Sequence, residues 1–167
     1  MSGKIISFPT QEDKLDIASI MEEDEFDFEA SEWVKPYMYI FEQYLMEQNL
    51  SPKTIDKHLS NVQFYIEEYL NNYEECEDIR KGCYAIGSYL GYFYIHKCMW
   101  ASQSNMKDTA TGIKKFYKCL LEKNLVSVKD YDNLCNEIKS GLPDWKEALR
   151  KYDDWDEDDE DDWFEDF

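Results

Sequence analysis

The sequence predicts an all-α protein built as a single helical bundle of about five to six helices and flanked by acidic segments. Through the centre of the 167-residue chain, apolar residues recur every three or four positions, the spacing of one helix face. No stretch alternates apolar and polar residues as a half-buried strand does. Caps and polar breaks divide this centre into consecutive segments, and the length suits one domain with a real core.

A capping signal separates the first two predicted helices. In "NLSPKT", Ser51 is placed to cap the second helix, and Pro52 suits its first position, where no N–H partner is needed. Leu50 and Ile55 have the spacing of a hydrophobic staple across this cap. The apolar stripe of the first helix is Trp33, Tyr37, Ile40, Phe41, Tyr44 and Leu45, and that of the second is Ile55, Leu59, Val62, Ile66, Tyr69 and Leu70.

The third predicted helix, from Ile79 to about Trp100, is the most apolar and is expected at the centre of the bundle. Its glycines Gly82, Gly87 and Gly91 each cost roughly 1 kcal/mol against alanine in an exposed helix. We therefore expect a neighbouring backbone to approach this helix closely.

The fourth predicted helix follows "ASQSN" and ends near Asn124, with Met106, Ala110, Ile113, Tyr117 and Leu120 on its apolar face. Ser127 and Asp130 resemble a capping box for a fifth helix. Gly141 and Pro143 are expected to end that helix, and a short last helix around Trp145 is expected to run into the C-terminal segment.

The net charge of −19 is unevenly distributed along the chain. Residues 1–32 carry two lysines against ten acidic residues, and residues 152–167 carry eleven acidic residues and no basic one. Residues 33–151 carry sixteen basic and sixteen acidic residues. We therefore divide the chain into an acidic N-terminal segment (1–32), a neutral helical domain (33–151) and an acidic tail (152–167).

Composition favours a non-enzymatic protein of the cytoplasm. The five cysteines are odd in number and form no C-x-x-C pair, which indicates reduced thiols and no zinc site. No signal peptide or membrane-spanning run is found, and no cofactor, membrane or small-molecule substrate is predicted. His96 is expected in the core or at its boundary and His58 on an exposed polar face, and neither belongs to a catalytic constellation.

Two phrases resemble the core-binding domain of tyrosine recombinases and phage integrases. "FEQYLMEQNLSPKTIDKHLSNVQFYIEEYL" (residues 41–70) is similar to the opening of that domain, and "SNMKDTATGIKKFYKCLLEKNLV" (residues 104–126) is similar to its later helix. Both stand in the family's order and at about its spacing. The resemblance implies a SAM-like helical bundle that closes over one face of DNA. A catalytic domain, which needs several arginines and a tyrosine nucleophile, is missing from a chain with two arginines.

The resemblance also implies that the polar faces of these two helices meet DNA. At 100° per residue, one stripe of the fourth helix contains Lys107, Thr111, Lys114 and Lys118, with Lys115 beside it. On the second helix, Lys53 and Lys57 lie nearly opposite the apolar face. Without arginine on either face, binding is expected to be weak, salt-sensitive and directed to the DNA backbone. The candidate residues are Lys53, Thr54, Lys57, Lys107, Thr111, Lys114, Lys115 and Lys118.

The acidic tail has several interpretations. It is a solvated appendage, or an acidic-aromatic segment that orders on a protein partner through Trp155, Trp163, Phe164 and Phe167. It can also fold over the lysine faces of its own domain, or occupy a nucleic-acid groove of another protein as a DNA mimic. The ending "WFEDF" further resembles the C-terminal tip of bacterial single-strand-binding proteins. The N-terminal segment, with Phe26 and Phe28 among acidic residues, has the same chemistry.

Overall fold

A computed structural model describes residues 30–165 and confirms the all-α prediction, with five helices and no strand in that range. The helix α1 spans Lys35–Met46, and α2 begins as Pro52–Gln63 and continues as a π-helical segment, Phe64–Tyr73. A 3-10 turn, Ile79–Cys83, precedes α3, which consists of Ile86–Ser88, a π-helical Tyr89–Phe93 and Tyr94–Lys97. Then follow α4, Gln103–Glu122, and α5, Val128–Glu165.

The predicted cap between α1 and α2 is confirmed. The backbone N–H of Thr54 donates to Ser51 Oγ at 3.2 Å, and Pro52 is the first residue of α2. Just before it, Asn49 adopts a left-handed conformation with φ of 57°, which turns the chain out of α1. Leu50 and Ile55 are both half-buried against the core, as a hydrophobic staple requires.

Buried tyrosines hold the centre of the bundle together. The hydroxyl of Tyr65 donates to the Gly82 carbonyl at 2.6 Å, and that of Tyr117 donates to the Ile79 carbonyl at 2.6 Å. Both rings are fully buried, so these bonds satisfy polar groups that have no access to water. Because Tyr65 belongs to α2 and Tyr117 to α4, the 3-10 turn is fixed from two sides.

The third helix differs from the prediction, since residues 79–100 do not form one helix. Asn133 of α5 donates from Nδ2 to the Cys83 carbonyl at 2.9 Å and so diverts an acceptor that a continuous helix would use. Asp78 caps the 3-10 turn by accepting from the Arg80 N–H at 3.1 Å. The close approach expected at the glycines comes from side chains of other helices and not from backbone, because a Cβ on Gly82 would meet the hydroxyl of Tyr117.

The predicted break at Gly141 and Pro143 is wrong, because α5 runs through both residues. The indole of Trp145 covers Gly141, and a Cβ added to Gly141 would lie 2.2 Å from Cζ2 of Trp145. The same indole packs on Gly91 of α3. The indole thus lies between α5 and α3, and Pro143 lies on the exposed side of α5. The capping box at the start of α5 is confirmed: Ser127 and Asp130 exchange hydrogen bonds of 3.0 and 3.1 Å.

The boundary predicted between domain and acidic tail does not coincide with a helix end. Leu149 is buried and Tyr152 packs edge-on against His96 of α3, with ring centroids 4.8 Å apart. Beyond this contact the backbone of the tail continues as α5 to Glu165. Trp155, Trp163 and Phe164 therefore lie on this helix, although side chains are described only to Asp154. Residues 1–29 at the N-terminus and residues 166–167, including Phe167, lie outside the described residues.

Candidate nucleic-acid interface

A groove of about 560 Å³ runs between α4 and α5. The two helices are joined by residues 123–127 and lie side by side in antiparallel order. Four lysines line the groove, and among the described residues none of its lining is acidic. We call this feature the lysine groove; its residues are Lys107, Ala110, Thr111, Lys114, Cys135, Asn136, Ile138, Lys139, Leu142, Pro143 and Lys146.

The lysine groove has a charged rim and an apolar floor. Lys107, Lys114 and Lys139 are exposed, so their ammonium groups remain hydrated and can reach a ligand. Ala110 and Ile138 are buried beneath them and belong to the core of the bundle. An anion can therefore contact several cations at once, and an apolar group attached to it can contact the floor.

The predicted stripe on α4 is only partly available for an anion. Thr111 lines the groove, but its hydroxyl donates to the Lys107 carbonyl at 2.9 Å, so its proton is already used. Lys118 lies one helical turn beyond Lys114, and its ammonium stands 5.6 Å from the ring centroid of Tyr131 in α5. Lys107 and Lys114 remain as the two α4 lysines of the groove.

The other predicted residues lie on a different surface, where α2 packs on α4. Lys57 forms an ion pair with Asp108, so its charge is locally balanced. Thr54 is half-buried, and its hydroxyl is hydrogen-bonded to Ser51 Oγ at 2.9 Å within the cap. Lys115 is half-buried on the α2 side of α4, while Lys53 is exposed. The structure thus divides the predicted set into two surfaces, because helical projection shows which face a residue occupies but not which neighbour that face meets.

Both histidine predictions are wrong. His58 is only 7% exposed, because it packs onto Gly112 of α4, and its Nδ1 atom has no hydrogen-bond partner among the described residues. Burial lowers the pKa of His58, and the nearby Lys115 and Lys57 lower it further. His96 is exposed and lies between the rings of Tyr92 and Tyr152.

Two residues of the groove were missed in the sequence, Lys139 and Lys146 of α5. They are seven residues apart, which places them on one face of a continuous helix. The expected break at Gly141 and Pro143 assigned them to separate helices. Had residues 128–146 been assigned to one helix, the spacing of seven residues would have placed both lysines on the same face.

Comparison of the chain with protein-family models, with curated proteins and with solved structures finds no match. The resemblance to an integrase core-binding domain therefore stays a prediction. None of the helices between residues 30 and 165 has the length and apolarity that a bilayer crossing requires. In the same part of the chain, His, Cys, Asp and Glu residues form no group of three or more able to hold a metal ion.

Proposed function

We propose that this chain is a non-catalytic accessory or regulatory protein of DNA transactions that binds the DNA backbone through the lysine groove. The observation that carries the proposal is the convergence of Lys107, Lys114, Lys139 and Lys146 on one groove that no described carboxylate lines. In a chain of net charge −19, such a concentration of unopposed positive charge favours an anionic ligand. The resemblance of residues 104–126 to a helix that meets DNA in integrases points to the same face.

Binding through lysines alone is directed to phosphate. An ammonium is a hydrated point charge without the forked geometry by which arginine reads a guanine edge. The two arginines lie elsewhere, Arg80 beside Asp78 and Arg150 between Glu147 and Asp154. The groove therefore supports contact with the backbone and little discrimination between sequences.

The salt dependence of this binding follows from the number of lysines. Four phosphate contacts give a slope of log K against log[salt] of about −3.6, so affinity falls roughly 100-fold between 50 and 200 mM salt. Fluorescence anisotropy of a labelled 20-base-pair duplex measures this slope with the full-length protein.

The same titration tests the groove with matched variants. The groove variant carries Lys107→Gln, Lys114→Gln, Lys139→Gln and Lys146→Gln. The control variant removes four exposed lysines outside the groove by Lys81→Gln, Lys123→Gln, Lys129→Gln and Lys151→Gln. We expect the groove variant to lose binding and the control, which has the same net charge, to keep most of it. Equal losses in both variants refute the proposal, and so does the absence of binding at low salt both by the wild type and by a variant whose tail carboxylates are neutralised.

We propose as a second candidate that the acidic tail is the active part and binds a basic surface of another protein, as a protein-binding module or DNA-mimic inhibitor. The observation that favours it is the continuation of α5 to Glu165, because a helix holds carboxylates at regular spacing. The test adds the chain to a basic DNA-binding domain on labelled duplex. Release of DNA by the wild type, but not by a variant with the tail sequence scrambled, supports it; equal release by both indicates unspecific charge.

A further inference from the structure

We propose that the lysine groove of one chain binds the acidic tail of a second copy of this chain. Like the proposed function, the inference rests on the affinity of the groove for anions. The groove presents four lysines, and the tail carries eleven carboxylates and no basic residue. The two surfaces are thus complementary in charge, and both lie on α5 or on its neighbour.

The structure excludes the tail of the same chain as the occupant. Lys139 and Lys146 line the groove, and Asp153 stands seven residues further along the same continuous helix. At a rise of 1.5 Å per residue, the tail therefore starts about 10 Å beyond Lys146 and extends away along the axis for about another 20 Å. A helical tail cannot fold back onto the helix that carries it, so a tail that reaches the groove must come from another copy.

The chemistry of the groove fits an acidic segment that contains aromatic residues better than a bare anion. Buried Ala110 and Ile138 and half-buried Leu142 form its floor, and apolar rings can pack there while the lysines meet the carboxylates. At the end of the groove, Lys118 already lies over the ring of Tyr131, which shows that a lysine of this stripe reaches an aromatic face. The tail supplies Trp155, Trp163 and Phe164.

The dimensions of the two partners are also compatible. Lys139 and Lys146 are two helical turns apart, or about 10 Å along α5, and the antiparallel α4 places Lys107 and Lys114 over the same length. A tail of about 20 Å spans this distance, and eleven of the residues from Asp153 to Phe167 are acidic. Register along the groove is therefore loosely fixed, as expected for a weak contact.

The resulting contact is heterologous, since a groove meets a tail. Each pair leaves one groove and one tail unused, so association continues into short chains or closes into a ring. The net charge of −19 on every copy opposes association, which makes it dependent on concentration. A groove filled by a tail is closed to DNA, so the tail regulates DNA binding between chains and not within one.

Complementation of two full-length variants tests this arrangement. The groove variant defined above keeps its tail. The tail variant keeps its groove and carries Asp156→Asn, Glu157→Gln, Asp158→Asn, Asp159→Asn, Glu160→Gln, Asp161→Asn and Asp162→Asn. Sedimentation equilibrium at low salt measures the mass of each protein alone and of an equimolar mixture.

We expect the wild type to self-associate as its concentration rises and each variant alone to remain a monomer. The mixture should form a 1:1 pair, because it contains one intact groove and one intact tail, and moderate salt should dissociate it. The lysine control variant should associate as the wild type does. A mixture that stays monomeric, or variants that associate alone as strongly as the wild type, overturns the inference.

DNA binding by the tail variant separates this inference from the proposed function. Its groove is intact and free of competing tails, so anisotropy measures DNA binding without competition from the tail. If this variant binds DNA but the mixture forms no pair, the inference fails and the proposed function stands. If the pair forms and no DNA binds, the groove is a self-association site and the proposed function fails.

Discussion

Replacing Gly82 with alanine tests the tyrosine arrangement at the centre of the bundle. A Cβ at this position would lie 1.8 Å from the hydroxyl oxygen of Tyr117 and 2.8 Å from its Cζ atom. The hydroxyl donates to the Ile79 carbonyl at 2.6 Å, and the ring is fully buried. The ring therefore has to move, and the hydrogen bond is lost with it.

The size of the effect follows from three contributions. Overpacking a core by one methyl group costs about 1–3 kcal/mol. Leaving a buried hydroxyl and carbonyl without partners costs about another 1–3 kcal/mol. The alanine restricts the unfolded chain and returns about 0.4–1 kcal/mol. The net loss in the free energy of unfolding is about 3 kcal/mol.

Urea denaturation followed by circular dichroism measures this loss. Gly87→Ala is a matched control in α3, because a Cβ there meets Trp145 at an ordinary 3.8 Å, and we expect it to be neutral or to stabilise by up to about 1 kcal/mol. Combining Gly82→Ala with Tyr117→Phe removes the closest clash, so the double variant should lose at least about 1 kcal/mol less than the sum of the single losses. A loss below about 0.5 kcal/mol for Gly82→Ala, or strict additivity, refutes the reasoning.

Three further predictions follow from the described side chains. The pKa of His58 is lowered in the folded protein, so the unfolded chain binds that proton more readily. The free energy of unfolding should therefore fall as pH drops below about 6.5 and level off below the folded pKa of His58. If the urea midpoint of His58→Gln depends on pH in the same way as that of the wild type, the prediction is contradicted. Asp130→Ala removes the capping box and the acceptor of the Tyr84 hydroxyl, and urea denaturation should show a loss of about 1–3 kcal/mol in the free energy of unfolding. Asp132→Ala, at an exposed position on the same helix, should have little effect. Burial raises the pKa of the Cys119 thiol to about 12, so iodoacetamide at pH 8 should label the partly exposed Cys76 far faster than Cys119. Peptide mass spectrometry measures both labelling rates, and equal rates in the native protein contradict the burial of Cys119.

Much of the fold was predictable from local patterns. The cap at Ser51, the capping box at Ser127 and the apolar stripe of α4 are all present, because each depends on residues within a few positions of one another. The continuity of α5 through Gly141 and Pro143 was not predictable in this way. Trp145 fills the space beside Gly141 on its own helix and beside Gly91 of α3, and the contact with the distant Gly91 depends on how α5 packs on α3.

The candidate site shows the same division. The lysine stripe of α4 was readable because helical spacing alone assigns residues to a face. Lys57 looked equally available in the sequence, but Asp108 of α4 neutralises it, fifty-one positions away. His58 was placed on an exposed face because its polar flank was visible, whereas the absence of a side chain at Gly112 lets α4 cover it.

The sequence by itself determined that this protein is a helical bundle with a neutral centre, acidic ends and a row of lysines on its fourth helix. Helix periodicity, caps and charge are properties of neighbouring residues, so they can be read along the chain. Only the tertiary structure decided which lysines share a groove, because Lys139 and Lys146 reach Lys107 and Lys114 through the packing of α5 on α4. The same packing directs the acidic tail away from its own groove, since one continuous helix carries both.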